Sequence, residues 1–156
     1  SATFRQNIAE ELEWNHDWES QLDAGPEAVD ALLRAKRPLM ANAMLRPFFE
    51  AYEIVADVLC DAPTDISDKD LTKQALGVGS QYAAQGLVRN NESVSALLFA
   101  TARQVAADQK LFEPSPDLRD RRRDYLNELR GIIGDMDRVH EIAAEQFYVR
   151  EAQLGH

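Results

Sequence analysis

Apolar residues recur at spacings of three and four along most of the chain, and runs of alternating β-branched residues are nearly absent. Such spacing is typical of amphipathic helices. The sequence therefore predicts an all-α fold, namely one domain over residues 1–156. We expect a bundle of about five to six helices with a long C-terminal helix.

Turn residues separate the first predicted helices. The first runs from about Thr3 to Leu22, and the second covers about residues 27–35. The third, about residues 38–60, contains Pro47, which removes a backbone donor and clashes with the preceding turn. This element is therefore predicted as either one kinked helix or two helices.

The fourth predicted helix covers about residues 68–85. Ser67 and Asp70 have the spacing of a capping box at its start, and Gly86 fits its end. Gly77 lowers its helix propensity, as does Gly79, so these glycines are predicted to allow a close neighbour.

A fifth helix is predicted over about residues 92–109, capped by Asn90 or Asn91. Its predicted buried stripe consists of Val94, Leu97, Leu98, Thr101, Val105 and Ala106.

The last predicted helix, about residues 117–153, has apolar positions at coiled-coil spacing. Its stripe consists of Leu118, Arg122, Tyr125, Leu129, Ile132, Met136, Val139 and Ala143. Leu126 and Ile133 widen this stripe, which favours the spine of a bundle or an arm packed on another domain.

The chain has 17 basic and 27 acidic residues, a net charge of -10, which disfavours nucleic acid as a partner. The segment Arg119–Arg123 is the one basic cluster and could touch an anionic surface. Asp117, Asp120 and Asp124 interleave with its arginines, so a solvated helix face is the preferred interpretation.

Apolar runs fall far short of the roughly 18 residues that a membrane-spanning helix needs. The chain starts at Ser1 without the pattern of a signal peptide, which suggests an excised piece of a longer protein. Cys60 lies beside apolar residues and is predicted to be a core thiol in a reducing compartment rather than a nucleophile.

Two segments resemble the C-terminal region of bacterial glycerol-3-phosphate acyltransferases. Residues 45–59 read LRPFFEAYEIVADVL, and residues 81–111 contain Gly86, the pair Glu92-Ser93 and a closing Leu111. The resemblance implies a parent enzyme that transfers an acyl group from coenzyme A or acyl carrier protein to the sn-1 hydroxyl of glycerol 3-phosphate.

The catalytic motif of that family, His-x-x-x-x-Asp, does not occur in this chain. Gln21 stands five residues after His16, and Glu145 stands five residues after His140. The resemblance thus implies a non-catalytic part, with no catalytic residue, cofactor or metal ligand of its own. Its implied partner is the catalytic domain of the same acyltransferase. The parent would be cytoplasmic, peripheral to the inner face of the cell membrane.

Metal binding is an alternative, because a carboxylate and an imidazole lie one turn apart at Glu13 and His16 and again at Asp137 and His140. A ferritin-like site would need further carboxylates, for which the candidates are Glu50, Glu53 and Glu92. Surface or capping histidines are the preferred interpretation.

Two more alternatives concern Ser93 and the aromatic residues. Ser93 could be a nucleophile, but a helix cap is preferred. A group of aromatic side chains could form an acyl-chain groove, although core packing is preferred. Its members are Trp14, Trp18, Phe48, Phe49 and Tyr52. A stand-alone bundle that binds a partner helix through the Leu118–Val139 stripe is the runner-up function.

Overall fold

The computed structural model describes the backbone of residues 24–28, 31 and 39–154, and the side chains of residues 24–28, 31, 42–142 and 144. Its elements are α1 (Leu39–Asp61), α2 (Asp68–Ala84), a 3₁₀ turn (Asn91–Ser93), α3 (Ala96–Asp108) and α4 (Leu118–Leu154). No strand occurs within these ranges, so the predicted all-α class is confirmed. The first predicted helix and most of the second lie outside the described residues.

Two compact units share the chain. One consists of residues 1–44 and 134–156, and the other of residues 45–133. In the first, Val139 and Ile142 form a small buried cluster, and the Asn42 side chain donates to the Met136 carbonyl at 2.7 Å. The predicted single domain over residues 1–156 stays a prediction.

The unit of residues 45–133 has a continuous apolar core. Its buried members are Ala51, Ile54, Val55, Val58, Leu59, Leu71, Ala75, Val88, Phe99, Ala102, Ala106 and Leu111. Pro47 lies inside α1, which forms one helix and not two. Thirteen residues of α1 lie between this proline and Asp61. This part of the helix is long enough to present Ile54, Val58 and other core residues on one side.

Gly79 marks a close approach of neighbouring segments. A Cβ atom at this position would lie 2.9 Å from Cγ1 of Val94 and 3.3 Å from Cδ1 of Ile54. A Cβ at Gly77 would meet nothing within 4 Å. The predicted close neighbour is therefore confirmed for Gly79 and wrong for Gly77.

Both predicted ends of α2 are confirmed. Ser67 accepts from the Asp70 amide through its hydroxyl, which also donates to the Asp70 carboxylate at 2.7 Å. Gly86 has φ of 72°, and the amides of Gly86 and Leu87 donate to the carbonyls of Ala83 and Tyr82. This is a Schellman motif, in which glycine adopts the left-handed conformation without steric cost.

The predicted start of α3 was wrong. Ser95 caps the helix by accepting from the Leu98 amide, whereas Asn90 makes no side-chain capping bond and precedes only the 3₁₀ turn. The buried stripe also differs in part from the predicted one. Ala106 is buried as predicted, but Phe99 and Ala102 are buried as well, and Leu97 is 78% exposed. A helix that begins at Ala96 turns these positions toward the core.

The predicted extent of α4 is confirmed, and so is its apolar stripe as far as side chains are described. The buried members are Leu118, Arg122, Leu126, Leu129, Ile132, Ile133, Met136 and Val139, and Tyr125 is half-buried. The Ala143 side chain lies outside the described residues. Because the stripe is buried within this chain, it is not available to a partner helix in this form.

Candidate functional site

The most complete polar cluster of the described residues surrounds Glu50. This residue lies on α1 and is 0% exposed. Arg46, one helical turn earlier and 6% exposed, donates from Nε to Oε1 of Glu50 at 2.7 Å. A buried carboxylate is costly unless it is paired and hydrogen-bonded, and this i, i+4 pair supplies the opposite charge.

The same carboxylate binds the segment between α2 and α3. The amides of Arg89 and Asn90 donate to Oε1 and Oε2 at 3.0 and 3.4 Å, and the Ser93 hydroxyl donates to Oε2 at 2.5 Å. Glu50 thus connects α1 to backbone and side-chain groups some 40 positions away in sequence. The 3₁₀ turn brings Ser93 inward, which explains why it is buried and does not cap a helix.

A hydroxyl beside a carboxylate resembles a nucleophile with its general base. Ser93 and Glu50 are each 0% exposed, however, and the carboxylate oxygens already accept from the guanidinium, the two amides and the hydroxyl. A substrate therefore has no access to this pair as it stands. The arrangement joins α1 to the segment of residues 89–93 and is suited to holding structure rather than to catalysis.

A half-exposed network of charges lies on the same unit. Arg130 on α4 donates to the Glu53 carboxylate at 3.1 Å, lies 3.6 Å from the Asp57 carboxylate, and contacts the Tyr82 hydroxyl at 3.3 Å. Tyr82 in turn donates to Asp57 at 3.0 Å. Burial raises the pKa of Glu53, while the hydrogen bond and charge of Arg130 oppose that rise. The network connects α1, α2 and α4.

Arg122 on α4 is another buried charge, at 3% exposure. Its Nε donates to the Leu111 carbonyl at 2.9 Å, and its Nη1 donates to the carbonyls of Leu59 and Ala62 at 2.8 and 2.6 Å. The last carbonyls of a helix have no intrahelical partner, so Arg122 satisfies the C-terminal end of α1 from another helix. Burial lowers its pKa. The predicted solvated face over Arg119–Arg123 was therefore wrong for this arginine.

Comparison of the sequence with known proteins identifies a family. The family model described as the glycerol-3-phosphate acyltransferase C-terminal region matches residues 1–115. This chain belongs to that family. The matched span contains both the Arg46–Glu50 pair and its partners from Arg89 to Ser93.

The chain is also similar in sequence to mycobacterial proteins. The chain is 32% identical over 118 residues to proteins named as an acyltransferase, plsB1, in Mycobacterium bovis and Mycobacterium tuberculosis. The alignment covers 74% of this chain and 19% of each relative. The chain thus spans about a fifth of the length of these relatives. No solved structure matches it.

The two segments that carried the family resemblance, residues 45–59 and 81–111, contact each other in the structure. Arg46, Glu50 and Ser93 all lie in the two segments that carried the resemblance, and the structure brings them together in one cluster. Sequence reasoning missed this cluster because it treated Ser93 as a cap and Glu50 as a metal-ligand candidate. The available signal was the i, i+4 spacing of Arg46 and Glu50 inside a largely apolar helix.

The structure separates the candidate metal ligands that it describes. Glu50 is engaged by Arg46 and the loop, Glu53 pairs with Arg130, and Glu92 is exposed. Within the described ranges, no three His, Cys, Asp or Glu side chains group as a metal site would require. Glu13 and His16 lie outside those ranges.

The remaining candidates have mixed outcomes. Phe49 is buried and meets Tyr52 edge to face at 5.9 Å, as core packing predicts, whereas Phe48 is 40% exposed. Trp14 and Trp18 lie outside the described residues. Cys60 is half-buried, and burial raises the pKa of its thiol, which disfavours the thiolate form of a nucleophile. Among the helices described, none is long and apolar enough to cross a membrane.

Proposed function

We propose that this chain is the non-catalytic C-terminal part of a longer glycerol-3-phosphate acyltransferase, where it packs against the catalytic domain and shapes it. The parent would transfer an acyl group from an acyl-coenzyme A or acyl carrier protein to the sn-1 hydroxyl of glycerol 3-phosphate. It would act as a peripheral protein at the inner face of the cell membrane.

The observation that carries this proposal is the family match over residues 1–115, in a chain whose sequence has no His-x-x-x-x-Asp motif. The enclosed Glu50 cluster adds physical support. The Glu50 carboxylate accepts from Arg46, from two amides and from Ser93, so its role is to hold α1 and the segment of residues 89–93 in a fixed arrangement. A rigid helical scaffold of this kind is suited to supporting a neighbouring domain.

An acyl-transfer assay with labelled glycerol 3-phosphate and a long-chain acyl-coenzyme A tests the proposal. The enzyme that carries this segment is compared with a version that lacks it. We expect activity to be lost on deletion and restored when the 156-residue chain is added in trans. Unchanged activity and folding after deletion would contradict the proposal.

A point variant distinguishes support from substrate contact. Glu50→Ala in the longer enzyme should lower the melting temperature and the active fraction, but leave the KM for glycerol 3-phosphate of the remaining enzyme unchanged. Glu92→Ala is the matched control, because Glu92 lies in the same matched segments and is exposed. A raised KM at an unchanged melting temperature would show instead that Glu50 acts at the substrate.

A further inference from the structure

The basic cluster of α4 is not uniform, and this matters for what it can bind. Arg121 donates to the Gln109 carbonyl at 2.7 Å, and Arg123 is exposed. Arg122 is buried among the carbonyls of α1 and Leu111, and its Nη2 has no hydrogen-bond acceptor among the residues that the structure describes. No carboxylate of the described residues pairs with this guanidinium, whose interactions are all with carbonyl oxygens.

Arg122 forms part of the wall of an open cleft of about 490 Å³. The wall also includes Arg119, together with hydroxyl-bearing Thr64 and Ser115. Cleft volumes of a few hundred Å³ are typical of small-molecule sites. The cleft lies at the N-terminal end of α4, where a helix of 37 residues places partial positive charge.

The charge of the wall is opposite to that of the whole chain. Two arginines and one carboxylate, that of Asp61, line the cleft, which leaves one excess positive charge in a chain of net charge -10. Asp117 lies beside the cleft, where Ser115 lowers its pKa, and its charge opposes an anion. We therefore expect an affinity below that of a site without a neighbouring carboxylate.

We propose that this cleft binds a phosphate monoester through Arg119 and Arg122, with Thr64 as a hydroxyl donor. A phosphate group offers several terminal oxygens to two guanidinium groups, and arginine is the side chain best matched to that geometry. Arg122, whose Nη2 is buried without an acceptor among the described residues, provides a fixed positive charge in the wall, and the exposed Arg119 provides the accessible donor. This inference does not depend on the proposed acyltransferase role.

A titration of the 156-residue chain with inorganic phosphate, followed by amide NMR at constant ionic strength, tests the site. We expect saturable shifts at the amides of residues 115–122. Arg119→Gln should weaken binding by at least about tenfold, equivalent to about 1.4 kcal/mol. Arg123→Gln is the matched control, since it removes the same charge one turn away and Arg123 does not line the cleft. Its charge reaches Cys60 in the cleft wall, so this substitution should weaken binding too, but less than Arg119→Gln, because no hydrogen bond to the phosphate is lost.

A second arm identifies the source of the phosphate. Vesicles of phosphatidylcholine with phosphatidic acid are compared with phosphatidylcholine alone in a sedimentation assay of the same variants. Arg119-dependent binding to inorganic phosphate alone indicates a soluble ligand, and Arg119-dependent sedimentation indicates a lipid headgroup; either supports the site. The proposal is overturned if neither arm shows binding, or if Arg119→Gln and Arg123→Gln weaken it equally. Both arginines are exposed, so neither substitution threatens folding.

Discussion

Glu50 and Arg122 are buried charges on two helices, and they are stabilised in different ways. Glu50 accepts from a guanidinium, two backbone amides and a hydroxyl. Arg122 donates to three carbonyls, and no carboxylate of the described residues pairs with it. The anion has a cation as its counter-charge, whereas the partners of the cation among the described residues are carbonyl dipoles.

The difference separates two ways of connecting segments that are distant in sequence. An ion pair on one helix can neutralise itself and use its remaining lone pairs to hold a loop, as Arg46 and Glu50 do. A single arginine can instead collect carbonyls that helix ends leave without partners. In the first, one carboxylate accepts four hydrogen bonds, and in the second, one guanidinium donates to three carbonyls.

Glu50→Ala tests the self-neutralised centre and should have the largest effect. We expect the free energy of unfolding to fall by about 3 to 5 kcal/mol, because Arg46 loses its buried partner and the amides of residues 89 and 90 lose their acceptor. Urea denaturation measures the change. Glu92→Ala, at an exposed site, should change stability by less than about 0.5 kcal/mol. Equal losses of stability from the two substitutions would show that the Glu50 cluster makes no specific contribution to the free energy of unfolding.

Arg122→Met tests the dipole-stabilised centre. The methionine retains much of the apolar volume, but the carbonyls of Leu59, Ala62 and Leu111 lose their donor. We expect a loss of roughly 2 to 4 kcal/mol, smaller than for Glu50 because no buried counter-ion is left behind. Arg123→Met on the exposed side is the control for the same urea experiment. A loss larger than that of Glu50→Ala would reverse the order of the two centres.

Ser93→Ala separates the hydroxyl from the rest of the Glu50 cluster. A hydrogen bond to a buried charge is lost, so unfolding should become easier by about 1.5 kcal/mol. Ser80→Ala is the control, because the Ser80 hydroxyl donates only to a carbonyl of its own helix on an exposed face. A neutral result for Ser93→Ala would indicate that Arg46 and the two amides alone suffice for Glu50.

The smallest expected change in stability concerns the turns at the ends of α2 and α3, which precede the partners of Glu50 and Arg122. Gly86 precedes the loop that binds Glu50, and Lys110 precedes Leu111, whose carbonyl binds Arg122. Both residues have positive φ, 72° and 59°, in Schellman motifs that end α2 and α3. Only glycine adopts this conformation without cost, so Lys110→Gly should stabilise the chain by up to about 1 kcal/mol. Its midpoint in urea should rise, and an unchanged or lower midpoint would contradict this account.

Much of the fold could be predicted because its signals are local. The Ser67 cap, the Gly86 end and the extent of α4 each depend on residues within a turn or on a periodic stripe. The start of α3 was mispredicted because Asn90, Asn91 and Ser93 have cap-like side chains. Ser93 instead points to Glu50, 43 positions away in sequence. No local pattern contains that partner.

The sequence by itself determined the all-α class, the last helix and the family, since helical periodicity, capping residues and two characteristic segments are properties of the chain alone. Only the tertiary structure decided that Glu50 and Arg122 are buried centres, that Arg119 and Arg122 share a cleft, and that Gly79 and not Gly77 admits a neighbour. The physical reason is that burial of a charged side chain depends on donors and acceptors from distant segments. Those partners are brought within hydrogen-bonding distance only when the helices pack.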